Sequence, residues 1–435
     1  MTILHKTSLN SNTKVQIKNN GGQLTVDAGL TLIAEFLHSL HFEAMITELI
    51  HFQDKRKFHR HDKVALLKQV LFQLIAGYQN DSAANTLQHD PAIALILNTT
   101  KLASQPSISR FINSLTAKNI DEFNQLLLCL ADTVFDRYNQ QTLVLDIDST
   151  HADTYGQQEA ASYNAHYGTE GFHPILVFDS VTGLLLAVKQ RPGNVYTSRD
   201  VDGFLRPILN HYRDFSCDMD ILVRGDSGFA TPALYGLCDE FNCHFLIKLK
   251  GNHRLVTLAE SQVSYDNQID FSKAEVQQVE LDYQVDTWSK PYRVVAQSVR
   301  PSNELLYRHE FVITNLNTVR PTDLFTTYHQ RGVIENSIKE AKLGFFMDKT
   351  NSHSFLANTF RMLLSAVAYN IVQAFKQNVL PMEKRHCQIT TLRWVAFHIP
   401  AIVIRHARRY ILKLSSNNVF DEIYWSILAK IRCLT

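Results

Sequence analysis

The sequence predicts an α/β protein in which helical regions flank a central sheet. Two short apolar runs, 143–150 (LVLDIDST) and 221–230 (ILVRGDSGFA), contain acids and small residues at their ends, which is typical of buried strands. Long stretches before residue 135 and after residue 322 carry apolar residues every three or four positions, which predicts helices. An acid at the end of a buried strand lies where α/β sheets bind ligands, so Asp148 and Asp226 are candidate site residues.

The composition is ordinary for a globular protein and argues against several other classes. The 435 residues are 45% hydrophobic and 20% charged, and this length favours two to four domains. No uninterrupted apolar run reaches the ~18 residues of a membrane span, and no apolar signal core is present at the start. We therefore expect a cytoplasmic protein that does not bind a membrane. The six cysteines form no CxxC pair, which argues against a zinc site or a disulfide framework.

The net charge gives no general sign of a nucleic-acid binder. It is only +1, whereas nucleic-acid-binding domains are usually strongly basic. Two local runs qualify this objection: 55–63 (KRKFHRHDK), and the basic residues within 405–413. Each run is either a contact surface for an anionic partner or a solvated face of the protein.

The N-terminal part of the chain is predicted to be a helical region over residues 1–135. Three long stretches between residues 27 and 135 have helical apolar spacing. Within this region, residues 104–115 favour a short helix that presents Arg110, which is compatible with a helix-turn-helix that contacts DNA. A plain helical bundle is the alternative.

The pattern then changes to strands separated by helices. Alternating stretches in 251–315 predict β-hairpins, which would insert between earlier and later parts of the sheet region. Helical spacing returns after residue 322 and continues through 389–412, so we expect a helical C-terminal tail. The earlier predicted elements are a strand at 142–148, a hairpin at 174–190, a helix at 200–212, a strand at 220–225, and a strand at 244–249.

The segment 328–342 (YHQRGVIENSIKEAK) is the most informative part of the sequence. On one continuous helix, Tyr328, Arg331, Glu335 and Lys342 would share a stripe about 60° wide, with Lys339 at its edge. One acid among cations suits a site that binds a metal ion and phosphate groups. The alternative is a surface helix stabilised by an ion pair between Glu335 and Lys339. A separate apolar stripe for packing on a core is formed by Ile334, Ile338, Ala341 and Phe345.

Asp148, Asp226 and Glu335 together form a candidate set of three carboxylates. Hard divalent ions take oxygen ligands, and Mg²⁺ is usually held by one or two carboxylates together with substrate phosphates. Asp146 lies two positions before Asp148 on the same strand face, so the two residues compete for the role of first ligand. Because Asp148 is nearer the strand end, we choose it as the ligand and expect Asp146 to be a buried partner of the site. Two further acids have simpler structural explanations, since Asp179 lies in a predicted turn and Asp200 at a predicted helix start.

These motifs resemble a known family. The spacing Tyr-x2-Arg-x3-Glu-x6-Lys resembles the YREK signature of bacterial insertion-sequence transposases of the DDE class. Asp148-Ser149-Thr150 and the GDSGFA sequence around Asp226 are similar to the two aspartate motifs of that class. Between them, TYGQQEAASYN (154–164), GFHP (171–174) and RPGN (191–194) resemble one subgroup. The likeness covers about residues 140–375.

The resemblance implies a domain organisation. It implies a ribonuclease-H-like catalytic core interrupted by a β-strand insertion domain, with a helical DNA-binding region before it. The C-terminal segment is apolar and basic by turns, and an apolar helical face in it with nothing left to cover would contribute to a dimer or to DNA held across it. The alternative is a helix that simply packs on the protein's own core. The implied segments are 1–135 (DNA-binding region), 136–250 (first part of the core), 251–315 (β insertion), 316–380 (second part of the core) and 381–435 (C-terminal region).

The resemblance also implies a mechanism and its partners. Asp148, Asp226 and Glu335 would be both the catalytic residues and the metal ligands, with Mg²⁺ as cofactor and Mn²⁺ as a substitute. The protein would cleave transposon ends by phosphoryl transfer and join the 3′-OH ends to target DNA. Its partners would be double-stranded DNA and a second copy of the chain, so it would associate with the nucleoid when bound to DNA.

The resemblance assigns DNA contacts to Tyr328, Arg331, Lys339 and Lys342. Trp288, in the predicted insertion, either stacks on an unpaired base or packs within the protein. Two other functions use the same features. One is a metal-dependent nuclease without strand transfer, and the other is a DNA-binding relic that occupies ends without cutting, which the intact set of acids disfavours.

Overall fold

The computed structural model describes residues 8–54, 58, 60–264 and 270–434, which form two compact units. The sheet unit combines Ala44–Asp54 with Ile112–His386. The helical unit combines Met1–Glu43, Lys55–Phe111 and Cys387–Thr435. The predicted basic run 55–63 lies partly outside the described residues.

The sheet unit is built on one eight-stranded mixed sheet. Its strand order is β10-β11-β12-β9-β8-β2-β6-β7. The central strands β2, β8 and β9 run parallel, and the other neighbours pair antiparallel. These strands are β2 (Thr142–Ser149), β6 (Ile175–Asp179), β7 (Leu185–Lys189), β8 (Asp220–Gly225), β9 (His244–Leu249), β10 (Glu275–Leu281), β11 (Arg293–Arg300) and β12 (Arg308–Thr314).

A small second sheet lies in the connection between β2 and β6. Its order is β3-β5-β4, and both pairings are antiparallel. No strand was predicted in this connection, because each element is too short to show an alternating pattern. The three strands are β3 (Ala152–Asp153), β4 (Ser162–Asn164) and β5 (Thr169–Phe172).

Helices cover the large sheet. The apolar helix α13 packs against α7 and β7, and 83% of its most apolar window is buried. It is long and apolar enough to cross a membrane, but its burial is that of a core helix. The helices of this unit are α7 (Ala117–Tyr138), α8 (Val201–Phe215), α9 (Pro232–Glu240), α10 (His253–Gln262), α11 (Pro321–His329), α12 (Gly332–Phe345) and α13 (Phe355–Val379).

The predicted β insertion continues the main sheet and does not form a separate β layer. The strands β10, β11 and β12 form where alternation predicted them, and β12 pairs with β9 from Thr314–Leu246 to Phe311–Leu249. The open edge of β9 offers unpaired backbone groups, and an adjacent strand satisfies them. The segment also contains the helix α10, which packs against β10 and β12 and was not predicted. The structure also differs from the domain boundary predicted at residue 135, because α7 packs along α13 inside the sheet unit.

The helical unit contains helices in two of the three long stretches predicted to be helical between residues 27 and 135, at Leu30–Ser39 and Lys63–Ala76, whereas the third, at Ala117–Tyr138, lies in the sheet unit. The helix Lys63–Ala76 has ends that follow from local chemistry: Asp62 accepts a hydrogen bond from the Ala65 N–H at 2.7 Å, and Gly77 ends the helix in the left-handed conformation with φ of 96°. The helices are α1 (Leu30–Ser39), α2 (Phe42–Leu49, which crosses into the sheet unit), α3 (Lys63–Ala76), α4 (Ala83–Leu87), α5 (Ile93–Ile96), α6 (Gln105–Ile112, which also crosses), α14 (Ile389–Leu392) and α15 (Asp421–Arg432).

The prediction of a helical tail is wrong for much of the segment 389–412. After α14 and one π-helical turn, the chain forms a hairpin of β13 (Ala401–His406) and β14 (Arg409–Leu414), and β13 also pairs with β1 (Leu24–Thr25). Pro400 removes a backbone donor just before β13. The tight turn at Ala407, with φ of 53°, then closes the hairpin.

The apolar face of α15 is buried within the helical unit, whereas the tail side chains Trp394, Val419 and Trp425 are 67%, 85% and 52% exposed. The buried face of α15 packs against α1 within the helical unit, which is the alternative of a helix packed on the protein's own core. Arg393 donates hydrogen bonds to the carbonyls of Ile75 at 2.7 Å and Leu74 at 2.8 Å, so the tail also caps the end of α3. The homodimer stays a prediction.

Candidate active site

The candidate site lies where the neighbouring parallel strands β2 and β8 end. The register pairs Asp146 with Arg224. Asp148 and Asp226 each lie two residues further along, so they are at the same level on chains that run about 4.8 Å apart. The strand-end placement predicted for both acids is confirmed by this register.

Asp146 lies inside the sheet, two residues before Asp148, where it is fully buried and bound by Arg224. The guanidinium donates to both carboxylate oxygens, at 2.7 and 2.8 Å, and also to Ser180 Oγ at 2.8 Å and the Thr327 carbonyl. Asp146 is therefore the buried partner that the sequence predicted. Arg224 was missed, although it stands two residues before Asp226, just as Asp146 stands two residues before Asp148.

Asp148 lies in a different environment at the end of the same strand. One carboxylate oxygen lies 3.0 Å from the Arg331 guanidinium, and the other accepts the Ser149 N–H at 2.8 Å. Burial raises the pKa of Asp148 to about 6, and the negative charges of Asp226 and Glu335 add to this increase, whereas Arg331 opposes it. Asp226 and Glu335 are therefore close enough to Asp148 to raise its pKa.

Asp226 is fixed by the turn that follows β8. Its carboxylate accepts the Gly228 N–H at 2.9 Å and caps a short 3₁₀ helix, Ser227–Phe229. The sequence GDSGF forms this turn because Asp at the cap position satisfies a backbone donor that the helix cannot. The turn holds the carboxylate at the strand end.

The signature segment forms two helices instead of the single predicted one. The helix α11 ends at His329 and α12 begins at Gly332. Between them, the N–H groups of Arg331 and Ile334 bond to carbonyls three residues back, so the chain is tightened into a 3₁₀-like turn. The predicted apolar stripe of α12 is confirmed, since Ile334, Ile338, Ala341 and Phe345 are all buried.

This break changes the position of Tyr328. It lies in α11 and is only 7% exposed, within an apolar cluster on the sheet. The shared stripe with Arg331 and Glu335 is therefore not formed on one helix. Burial raises the pKa of Tyr328 to about 12; Arg331 opposes this increase, and the charges of Glu310, Asp226 and Asp148 add to it. The cluster consists of Leu246, Val295, Val312, Leu324, Phe325 and Tyr328.

Two cations attach α12 to the end of β2. Arg331, just before the helix, donates to the Ile147 carbonyl at 3.1 Å in addition to its pairing with Asp148. Lys342, in the last turn, donates to the His151 carbonyl at 2.7 Å. Glu335 lies between these attachments in the first turn of the helix, so both contacts hold it beside the strand end.

Glu335 and Lys339 are both exposed and do not form the ion pair of the alternative interpretation. Within the described part of the chain, the Glu335 carboxylate has neither a hydrogen bond nor a cationic partner. A salt-bridged surface helix is therefore not what the structure contains.

The acids do not form a ready-made metal cage in their present rotamers. Among the described residues, no three His, Cys, Asp or Glu side chains are grouped so that they could hold a metal ion. Arg331 pairs with Asp148, the Gly228 N–H bonds to Asp226, and Glu335 is exposed to solvent. The chemistry of the donor set nevertheless fits a hard divalent ion, because it offers only carboxylate oxygens and a buried acid whose charge lacks full compensation.

The two remaining predicted DNA contacts, Trp288 and Arg110, are described by their own surroundings. Trp288 lies in the loop between β10 and β11, where it packs against the rings of Tyr235, Tyr283 and Tyr292 at centroid distances of 5.8–6.3 Å. This is the packing alternative for Trp288. Arg110 is exposed near the end of α6, and its guanidinium lies 3.4 Å from Ser107 Oγ.

Comparison with solved structures gives distant similarities. A piggyBac transposase synaptic complex with hairpin DNA matches at 11% identity over 85% of this chain and 80% of that chain, with a TM-score of 0.45. A Mos1 transposase paired-end complex with the left transposon end matches at 11% identity over 45% and 61%, with a TM-score of 0.18. A Mos1 mariner paired-end complex with Mn matches at 10% identity over 47% and 65%, also with a TM-score of 0.18. Scores this low carry no argument about the site.

No curated protein matches this chain. A family model does match, and it extends over residues 7–435. Since that span includes both units and all three candidate acids, the chain belongs to the family Transposase DDE domain group 1.

Proposed function

We propose that this DDE transposase binds the terminal inverted repeats of an insertion sequence, cleaves the element at its ends and joins the 3′-OH ends to target DNA. Family membership confirms the predicted DDE class. The YREK subgroup and a bacterial insertion-sequence origin are part of the proposal, as is a ribonuclease-H-like core. That core is supported by the order of three antiparallel strands, a helix and then parallel strands in β2, β6, β7, α8, β8 and β9.

The observation that carries the proposal is that the candidate acids and the proposed phosphate-binding cations lie together at one strand end. The charges of Asp226 and Glu335 raise the pKa of Asp148, whose strand end is also bound by Arg331 and Lys342. The Arg331 Nε–H is buried and has no acceptor among the described residues. A buried donor without a partner is costly, and a phosphate oxygen at the cut would satisfy it.

The three carboxylates are the proposed metal ligands. Mg²⁺, with Mn²⁺ as a substitute, would supply charge neutralisation and water activation for phosphodiester hydrolysis when bound there. On our assignment, Asp148 and Asp226 present their oxygens from fixed strand ends, and Glu335 completes the set from α12. Arg331 would transfer part of its pairing from Asp148 to the DNA phosphate.

The remaining proposed contacts concern the DNA on either side of the cut. Lys339 is exposed beside Glu335 on α12 and would bind backbone phosphates together with Lys342. Tyr328 would contribute through its hydroxyl only, because its ring is packed in the core cluster. A homodimer that brings two ends together, cytoplasmic localisation and association with the nucleoid complete the proposal.

The test is a cleavage assay with purified protein, DNA carrying the repeats that flank its gene, and Mg²⁺ or Mn²⁺. We expect nicks at the repeat ends followed by joined products with target DNA. The Asp226→Ala protein should bind the ends but leave them uncut, because metal ligation is separate from groove and backbone contacts. Cleavage without joined products would support the nuclease alternative, and cleavage by Asp226→Ala would overturn the assignment of the site.

A further inference from the structure

The hairpin of β4 and β5 places an exposed aromatic ring against His151, three residues after Asp148. The turn between these strands contains His166, Tyr167 and Gly168. Tyr167 is 42% exposed, which is unusual for a ring held by several side-chain contacts. Neither the metal chemistry nor the phosphate contacts described above use it.

Three imidazole rings fix the orientation of Tyr167. It stacks on His151 with a centroid distance of 4.8 Å and an interplanar angle of 25°. His166 meets it edge-on at 4.8 Å and 89°, and His173 at 6.2 Å and 68°. One face of the phenol ring is thus covered by His151, and the ring has little freedom to rotate.

The backbone of the turn is equally constrained. Buried Asn164 accepts the N–H groups of His166 at 3.0 Å and Tyr167 at 3.3 Å, and it donates to the Gly193 carbonyl at 2.8 Å. At Gly171 on β5, a Cβ atom would lie 2.3 Å from the Ala152 carbonyl oxygen, so only glycine allows this close packing of the small sheet. The platform is therefore built into the fold.

Contacts of His151 connect this ring to the candidate active site. His151 follows Asp148 by three residues, and its carbonyl accepts the ammonium group of Lys342 at 2.7 Å. Its side chain is held by Thr169 Oγ1 at 2.9 Å and by Asp153 at 3.1 Å. The phenol also lies within the field of the acids: burial raises the pKa of Tyr167, and Asp148 and Asp226 raise it further, so the hydroxyl stays neutral.

We propose that Tyr167 is a stacking platform for an unpaired nucleobase next to the phosphate that is cut. This inference rests on the proposed function, since it gives the same site a second contact with its DNA. A neutral, rigid and half-exposed ring cannot neutralise a phosphate, but it offers a π-face that any base can cover. Because a base in a closed duplex cannot reach such a ring, the DNA end must be unpaired at that nucleotide when it occupies the site.

The test compares two short fluorescein-labelled oligomers of equal length and charge, one of oligo(dT) and one of abasic units. Binding to the full chain is followed by anisotropy in Ca²⁺, a hard cation that also takes oxygen ligands. Wild type should prefer oligo(dT), and Tyr167→Ala should reduce this preference about fivefold or more, because stacking contributes roughly 1–3 kcal/mol per base. Tyr167→Phe should keep the preference to within about twofold, since its ring has the same π-face.

Two further variants separate stacking from a structural role. Tyr167→Leu keeps an apolar side chain without a π-face, and we expect it to lose the preference as Tyr167→Ala does. Tyr163 lies on the same hairpin and is 59% exposed, but no ring contact joins it to the histidines among the described residues, so Tyr163→Ala should keep the preference. Full base preference in Tyr167→Ala, or its loss in Tyr167→Phe, would overturn the proposal.

The outcome can be separated from that of the proposed function. If wild type leaves repeat ends uncut but its base preference depends on the ring of Tyr167, the cleavage proposal fails and the platform stands. If the ends are cut in an Asp226-dependent way while base preference is independent of Tyr167, only the platform fails.

Discussion

The middle and the end of the paired strands β2 and β8 use the same residue types in opposite ways. In the middle, Asp146 and Arg224 lie opposite each other, fully buried, and Arg224 binds both carboxylate oxygens. At the end, two residues further on, Asp148 and Asp226 are both acidic, and the nearest cation, Arg331, comes from another element. The first arrangement cancels its charge, and the second leaves negative charge uncompensated.

This difference distinguishes a charge that holds the fold from a charge kept for a ligand. A buried ion pair whose hydrogen bonds are all formed has no free donor or acceptor for a substrate. Removing one partner lowers the stability of the fold. A set of like charges raises its own free energy until a cation binds. The comparison therefore predicts that substitutions in the middle of the strands will lower stability, whereas substitutions at their ends will lower activity.

The largest effect should come from Glu335, the acid without a partner. Glu335→Gln should reduce cleavage more than about 10³-fold and leave the unfolding midpoint nearly unchanged. The matched control on the same helix is Glu340, whose carboxylate pairs with buried Lys376 at 2.8 Å. Glu340→Gln should lower stability and keep cleavage. Equal loss of cleavage in both variants would remove the distinction between structural and ligand-binding acids on α12.

Removing the charge of Asp146 should destabilise the fold through its buried pair with Arg224. Asp146→Ala leaves the Arg224 guanidinium buried and unpaired, so we expect the free energy of unfolding to fall by about 3–5 kcal/mol in urea titrations. Replacing both residues by leucine should cost less than Asp146→Ala alone, because no buried charge is left. If Asp146→Ala is as stable as wild type but inactive, Asp146 is a ligand, and the distinction between a structural acid in mid-strand and ligand-binding acids at the strand ends fails.

The pH dependence of stability should identify Asp148. Its pKa is raised to about 6 in the folded protein, above its ordinary value, so the native state binds the proton more tightly than the unfolded chain. Stability without metal should therefore fall as pH rises from about 4 to 6, by up to about 3 kcal/mol at roughly 1.4 kcal/mol per pKa unit. Asp148→Asn should lack this fall in chelator-containing urea titrations. An identical pH profile in both proteins would contradict the raised pKa.

The smallest effects concern the two cations that attach α12. Arg331→Ala and Lys342→Ala should each lower the slope of log affinity against log salt by roughly one for DNA carrying a repeat end. Arg308 is a suitable control, because it pairs with Glu304 at the start of β12 and is not one of the candidate site residues, and Arg308→Ala should keep the slope. Unchanged slopes in the first two variants would assign Arg331 and Lys342 to structural pairing alone.

Local patterns predicted the parts of the site that depend on local order. Acids that follow buried strands, the apolar stripe of α12 and the buried partner Asp146 all follow from a few neighbouring residues. The break at Arg331 could not be predicted in this way, because Gln330 and Arg331 keep helical backbone angles while their hydrogen bonds tighten. Tyr328 changed its surroundings as a result.

Longer-range pairings were also beyond the sequence pattern. Alternation predicted strands in 251–315 but contained no information that β12 would find the free edge of β9. In the tail, apolar residues at 389–412 suit either a helix or a hairpin, and pairing of β13 with the distant β1 decides between them. The His151–Tyr167 stack likewise joins residues whose proximity depends on a small sheet too short to predict.

The helical unit is formed by chain segments from both ends of the sequence, and this has a consequence for the order in which the two units fold. Its early helices α1 and α3 need α15 and Arg393 from beyond the sheet unit. At roughly 5–20 residues per second, a ribosome needs tens of seconds to supply the intervening chain. The sheet unit can therefore fold first, while the helical unit waits. A nascent or truncated chain would carry an assembled set of acids before its helical unit is complete, so each copy completes its candidate active site before its helical unit.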